Sequence, residues 1–274
     1  MMTREQLINR IKVQRSFLCV GLDSDPTLIP SKFHQYKNPV LEFNKAIIEI
    51  TAPFCVAYKP NTAFYERNGW QGWQTLQETV NHIPEGYLKI LDAKRGDIGN
   101  TSNQYAAAFW DAIQADALTV APYMGRDSVE PYLGREGKWA VVLALTSNQG
   151  ANDFQMLKLD NGDLLFEQVV KSAIQWGSDD NLMFVVGATR GDLFATMRKL
   201  APRHFFLVPG VGAQGGSLAD VASHAITADC GLLVNASRSI IYAGSGDSFE
   251  KDVESACVEL QQQMELLLHQ HNII

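Results

Sequence analysis

The chain has 274 residues, 46% of them hydrophobic, with 23 Lys and Arg against 30 Asp and Glu and a net charge of −7. That composition supports a sizeable core and argues against intrinsic disorder. The acidic balance argues against a general nucleic-acid binder, which needs a basic stripe, but a local cluster of Lys and Arg could still hold a small anionic substrate. No apolar run approaches the ~20 residues of a membrane span, and residues 1–6 lead into no apolar signal segment, so a soluble, cytoplasmic protein with no membrane partner is expected.

In chain order, residues 3–13 read as a capped helix: Thr3 and Gln6 stand at capping-box spacing, and Leu7, Ile8 and Ile11 form an apolar stripe. Residues 17–22 form a buried strand with Asp23 at its C-terminal end. Val40, Phe43, Ile47 and Ile50 recur at helical spacing, and a second strand spans 54–58, with Lys59 at its end and Pro60 stopping it. A helix over 70–80 leads to a third strand, 87–92, then a helix over 101–113 and a fourth strand, 117–121. A short helix over 127–133, a strand over 139–145 and a long polar loop over 146–160 follow. Helices over 164–176, 192–200 and 217–225 then alternate with strands over 182–186, 204–208 and 230–234, and a last amphipathic helix runs from Phe249 past Leu267.

The strands are continuous apolar runs, as expected where both faces are covered. Eight strand-then-helix units predict a (β/α)8 TIM barrel spanning residues 1–274 as one domain with a short N-terminal helix, close to the usual ~250 residues. A doubly wound open sheet is the alternative, because periodicity alone does not settle closure. Cys19, Cys55, Cys230 and Cys257 show no metal-ligand spacing and read as reduced core thiols. No His/Cys/Glu cluster suggests a metal. The histidines are scattered; His204, at a strand's N-terminal end, falls on the stability face of such a barrel. Tyr123 and Met124, after the fourth strand, could line a pocket or plug the barrel mouth.

The segment Asp92-Ala93-Lys94-Arg95-Gly96-Asp97-Ile98 ends the third strand. Residues two apart on a strand share a face, so Asp92 and Lys94 point the same way. An ion pair gains little as scaffold, since apolar packing would hold a barrel at least as well. The pair therefore reads as a site, the bland alternative being a solvated charged loop. Asp23, Lys59 and Ser147 mark other strand ends. A Gly-rich segment, 209–216, follows the seventh strand and Asn235-Ala236-Ser237-Arg238 the eighth, the usual phosphate position in such barrels.

These residues carry a resemblance. The sequence resembles the orotidine 5′-phosphate decarboxylase family, in particular its longer bacterial branch. The D-x-K-x-x-D-I signature is met by Asp92, Lys94, Asp97 and Ile98, with Lys59 and Asp23 on the preceding strands. The phosphate segments are met by 209–216, including Pro209 and Gln214, and by Ser237, Arg238, Ser239 and Ile240. The match runs from Asp23 to Arg238 in five motifs. It implies a homodimeric (β/α)8 barrel that converts orotidine 5′-monophosphate to UMP and CO2, the last step of UMP biosynthesis, without cofactor or metal. Lys59, Asp92, Lys94 and Asp97 would form the charged array, with Lys94 as proton donor to C6 and Asp92 near the departing carboxylate. Asp97 and Thr101 would reach into the partner's site, Asp23 and Lys59 would meet the ribose, and Ser147 the pyrimidine. Gln214 and Arg238 would hold phosphate.

The rival within the same barrel group is a Mg2+-dependent sugar-phosphate lyase or decarboxylase, whose second strand ends in an acid; Lys59 stands there instead and would repel the metal. A Schiff-base aldolase is disfavoured because Asp92 and Asp97 flank Lys94 and favour its ammonium form. A non-enzymatic nucleotide-binding barrel would be expected to have lost one of the four charged residues.

Overall fold

The computed structural model describes residues 1–189, 191–211 and 216–274. Eight parallel strands close into a barrel in sequential order: β1 (Leu18–Leu22), β2 (Ala57–Pro60), β3 (Leu88–Arg95), β4 (Ala117–Val120), β5 (Trp139–Leu145), β6 (Leu182–Val186), β7 (Phe205–Pro209) and β8 (Leu232–Ala236). β8 pairs back onto β1 at Leu18–Val234, which settles the question of closure. β1, β4, β6 and β8 are buried at every position, since helices cover the outside and side chains fill the inside.

Helix α1 (Arg4–Gln14) lies across the N-terminal end of the barrel. Thr3 and Gln6 form the capping box, with Gln6 N donating to Thr3 Oγ1 at 3.3 Å and Thr3 N to Gln6 Oε1 at 2.9 Å. Trp139 Nε1 donates to the Met2 carbonyl at 2.7 Å, and Arg4 pairs with Asp229 at 2.9 Å, fastening this segment under the strands. The crossovers carry α2 (Pro39–Thr51), α3 (Ala63–Glu66), α4 (Gly69–His82), α5 (Gly99–Ala107), α6 (Leu165–Ala173), α7 (Gly191–Leu200), α8 (Leu218–Ala225) and α9 (Arg238–Ile241), and α10 (Phe249–Gln270) packs back on α2.

Several boundaries differ from those the sequence predicts. Residues 52–54 form a 3₁₀ turn with Pro53 in its first turn, which moves β2 forward so that Lys59 and Pro60 lie inside the strand. Pro60 is tolerated there because it is the last strand residue, opposite Leu22, and the ladder needs no N–H from it. The expected helix over 127–133 is instead two 3₁₀ turns, Arg126–Ser128 and Glu130–Tyr132. In the loop over 146–160 a further 3₁₀ turn, Gln149–Asp153, is present. The four cysteines are buried and free, and burial pushes the Cys55 and Cys230 thiols up to about 12, which keeps them unreactive thiols at neutral pH. Among the described residues no helix is long and apolar enough to cross a membrane.

His204 sits just before β7 on the N-terminal face, its ring beside Phe184 at 5.5 Å, with neither ring nitrogen bonded among the described residues. Burial lowers its pKa from 6.5 to about 4. The unfolded chain therefore takes up this proton at a higher pH than the folded one, and stability falls as the pH drops through that window. Replacing His204 by Phe should make the protein lose about 2 kcal/mol less stability than the wild type between pH 7 and pH 4.5, read from urea-unfolding midpoints. Equal losses in both proteins would contradict a neutral buried ring.

Candidate active site

The C-terminal ends of barrel strands carry the chemistry in this architecture, and here they bring together four charged side chains. Asp23 follows β1, Lys59 lies in β2, and Asp92 and Lys94 lie in β3. Lys59 Nζ stands 3.0 Å from Asp92 Oδ2 and 3.9 Å from Asp23 Oδ1, while Lys94 Nζ stands 2.5 Å from Asp92 Oδ1. Asp92 thus bridges two ammonium groups, one with each oxygen.

The two lysines differ in exposure. Lys59 has 4% of its side chain exposed and Lys94 50%. Burial alone would push the Lys59 ammonium toward its neutral form, but the carboxylates of Asp92 and Asp23 outweigh it and raise its pKa above the usual lysine range. Burial alone would likewise raise the Asp92 carboxyl, yet Lys59 and Lys94 hold it well below the usual carboxylate range. Lys59 is therefore a fixed positive charge and Asp92 a fixed negative one. Lys94 is the member that bulk water can reach.

A break in the β3–β4 ladder shapes this corner. The strands pair at Leu91–Leu118 and next at Arg95–Val120, so three residues of β3 face one of β4. Lys94 has φ +49°, a left-handed conformation that costs a non-glycine residue about 1 kcal/mol or more. The strand alternation that places Asp92 and Lys94 on one face holds in outcome, since both reach the same point, but it is reached through a bulge.

A cavity of about 150 Å3 extends from the array toward the last two strands. Asp23, Lys59 and Asp92 line one end, and Pro209, Gly210, Asn235, Ser237 and Arg238 the other. Its walls hold two buried acceptors, Asp23 Oδ1 and Asn235 Oδ1, with no hydrogen-bond partner among the described residues. Unsatisfied buried acceptors call for donors, and a ligand's hydroxyl groups would supply them. Arg238 is exposed at the mouth, so its guanidinium can meet an anion.

The other candidates fall in three groups. Ser147 follows β5 and packs against Gly187, where a Cβ would stand 2.6 Å from the Ser147 nitrogen, so only glycine permits this approach of β5 and β6 ends. Asp97, Ile98 and Thr101 lie past β3, Asp97 half-buried and the other two exposed; Asp97 Oδ1 accepts from the Ile98 amide at 2.8 Å, and among the described residues no ion pair joins Asp97 to Lys94. Gln214 lies outside the described residues.

Two further residues, Gly21 and Tyr242, carry no site signal in the sequence, and a third, Asn235, stands in the segment that the sequence places after the eighth strand, with no role of its own assigned. Gly21, in β1, makes room for the Ser237 hydroxyl, which would lie 1.9 Å from an added Cβ. Asn235 is the last polar side chain of β8 and donates to Ser237 Oγ at 3.2 Å. Tyr242, just after α9, accepts from the Asp25 amide at 2.7 Å and donates to the Asp23 carbonyl at 3.3 Å, tying the Arg238 helix to the end of β1. The polar residue in an otherwise apolar β8 is a signal in the sequence; the other two depend on contacts between distant segments.

Among the described residues no group of three His, Cys, Asp or Glu side chains is placed to hold a metal ion. The position of β2 from which a carboxylate could help bind Mg2+ carries Lys59 instead.

The family profile described as "Orotidine 5'-phosphate decarboxylase / HUMPS family" matches residues 16–248. The chain is 52% identical over 276 residues to orotidine 5′-phosphate decarboxylase of Parabacteroides distasonis, covering 100% of this chain and 99% of the relative. It is 50% identical over 272 residues to the protein of that name from Phocaeicola vulgatus, covering 98% and 100%. Of solved structures, OMP decarboxylase of Leishmania donovani superposes with a TM-score of 0.84 at 37% identity, covering 97% of this chain and 98% of that one. UMP synthase of the same organism gives 0.85 at 39%, with 97% of this chain matched to 57% of that one. With the profile spanning most of the barrel and half of the residues shared along the whole length, the chain belongs to the orotidine 5′-phosphate decarboxylase family.

Proposed function

We propose that the protein decarboxylates orotidine 5′-monophosphate to UMP, the closing step of de novo UMP biosynthesis, with no cofactor. The observation that carries this reading is the alternating array Lys59–Asp92–Lys94, of which Lys59 and Asp92 line one end of a cavity whose other end offers Arg238. The names of the relatives supply the substrate class.

The chemistry suits the array. Breaking the bond between C6 and the carboxylate leaves an electron pair in the ring plane, where no π-system spreads it. A fixed ammonium at that point stabilises the developing charge more strongly in a water-poor site than in bulk. Lys94 Nζ then gives its proton to C6, and its half-exposed position lets water return that proton for the next turnover. Asp92 faces the leaving carboxylate, a like-charge contact that loss of CO2 relieves. Lys59, held cationic, fixes Asp92 and offers a donor to the ribose, which Asp23 would also meet through Oδ1, an acceptor with no hydrogen bond among the described residues. Ser147 and Pro209 would border the pyrimidine and phosphate ends, with Gln214, Ser237 and Arg238 on the phosphate.

A homodimer completes the site in this reading, with Asp97 and Thr101 presented to the second copy. An exposed apolar patch supports it: Ile98 is 54%, Tyr123 86% and Met124 48% exposed, and Met124 lies close to Gly96 beside the charged segment.

Product analysis tests the assignment. The protein should convert orotidine 5′-monophosphate to equimolar UMP and CO2, and leave sugar phosphates unchanged with Mg2+ present; the reverse pattern would move the chemistry to a metal-dependent lyase. Phosphate binding remote from C6 can be used to assemble the array. The Arg238→Ala variant should therefore lose about 10- to 100-fold in kcat/KM for the nucleotide. It should change little toward the same compound without phosphate. Equal losses with both would place Arg238 away from the phosphate.

A further inference from the structure

Thr119 is the only hydroxyl side chain in β4, and it is 1% exposed. It stands opposite the bulge, facing residues 92–94 alone. In that bulge the Lys94 amide has turned out of the ladder, and its partner is not a strand carbonyl but Thr119 Oγ1, at 2.9 Å. The same oxygen donates its own proton to Asp92 Oδ1 at 3.1 Å, the oxygen that also takes Lys94 Nζ at 2.5 Å. One hydroxyl therefore accepts from the backbone of the proposed proton donor and donates to the carboxylate that aligns its side chain.

We propose that Thr119 is a positioning residue for decarboxylation: its hydroxyl pins the left-handed Lys94 backbone and the Asp92 carboxylate in the relative placement that the chemical step needs. The inference rests on the reading of the Lys59–Asp92–Lys94 array as the catalytic centre. Three features support it. A left-handed non-glycine residue persists only where its surroundings hold it, and the Thr119 bond is what the Lys94 amide has. A buried Asp92 oxygen shared between Lys94 and a neutral donor is oriented as well as charged. Thr119 belongs to a rigid strand, so its oxygen is a fixed reference point, which suits a group that must be held to within a fraction of an ångström.

The consequences separate a positioning role from a role in folding. Thr119→Val keeps the shape and the β-branch while removing both bonds, and Thr119→Ser keeps the hydroxyl. Thr119→Val should lower kcat about 10- to 100-fold, leaving KM and the affinity for UMP within about threefold. Thr119→Ser should recover kcat to within about threefold of wild type. The Lys94 amide, followed by hydrogen exchange, should be protected in wild type and Thr119→Ser and exposed in Thr119→Val.

The result that would overturn the proposal is a Thr119→Val enzyme with wild-type kcat, a loss that falls on KM alone, or unchanged protection of the Lys94 amide. A Thr119→Ser variant as slow as Thr119→Val would overturn it too. Absence of turnover in wild type would sink the decarboxylase reading, and the amide exchange at Lys94 would still decide whether Thr119 holds that backbone.

Discussion

Lys94→Ala should abolish decarboxylation, lowering kcat by on the order of 10^5-fold, while the folded protein still binds UMP. The size follows from two functions lost together. Removing a preorganised charge from a developing anion costs roughly 10²–10³-fold, and removing a general acid roughly 10²–10⁴-fold. The variant should fold, because Lys94 is half exposed and Asp92 keeps its second ammonium partner, Lys59 at 3.0 Å. Single-turnover mixing with the nucleotide, followed by the ultraviolet change as orotate becomes uracil, measures the chemical step directly. A loss below tenfold would assign the proton to another group.

Asp92→Ala should be the most damaging substitution for stability at the site, and should also lose nearly all activity. Removing one partner of a buried ion pair costs about 3–5 kcal/mol, because the other charge stays buried and unpaired. Here the remaining charge is Lys59, 4% exposed, whose next carboxylate is Asp23 at 3.9 Å. The pH dependence has a definite sign. The native Asp92 carboxyl titrates below its ordinary 3.8, so its contribution is complete above that pH and is lost as the pH falls below it. Native Lys59 titrates above its ordinary 10.5, so its contribution is complete below that pH and is lost above it. The stability gap between wild type and Asp92→Ala should therefore be level from about pH 5 to neutral pH and narrow as the pH falls below that range; it should narrow again on the alkaline side, because Lys59, left in the variant with Asp23 at 3.9 Å, gives up its proton more readily than native Lys59. Urea denaturation across pH measures it, and a gap below 1 kcal/mol at pH 7 would mean that Lys59 is adequately held without Asp92.

Much of this architecture could be read from residue order. Apolar runs of strand length separated by helical periodicity predict the barrel, and the strand-end positions of Asp23, Lys59, Asp92, Lys94 and Arg238 predict which side chains meet. Side-chain period alone did not reveal the bulge at 92–94, because it arises from pairing with β4 and not from any propensity of Ala93 or Lys94. For the same reason Thr119 read as an ordinary strand residue: its role depends on which residue of β3 the register sets against it. Gly21 and Tyr242 were silent because their partners, Ser237 and Asp23, are more than two hundred residues away in the chain. The shift of β2 came from Pro53 starting a 3₁₀ turn where apolar residues alone suggested a strand.

A Lys–Asp–Lys array at the barrel mouth that decarboxylates a nucleotide by charge and proton transfer alone has no need of a metal. The most direct measurement mixes EDTA-treated wild-type protein with orotidine 5′-monophosphate in D2O, follows the ultraviolet change and examines the product. Full conversion to UMP carrying deuterium at C6 is expected, at the same rate with and without EDTA. No change in absorbance by well-folded protein, or a change that returns only when Mg2+ is restored, would contradict it.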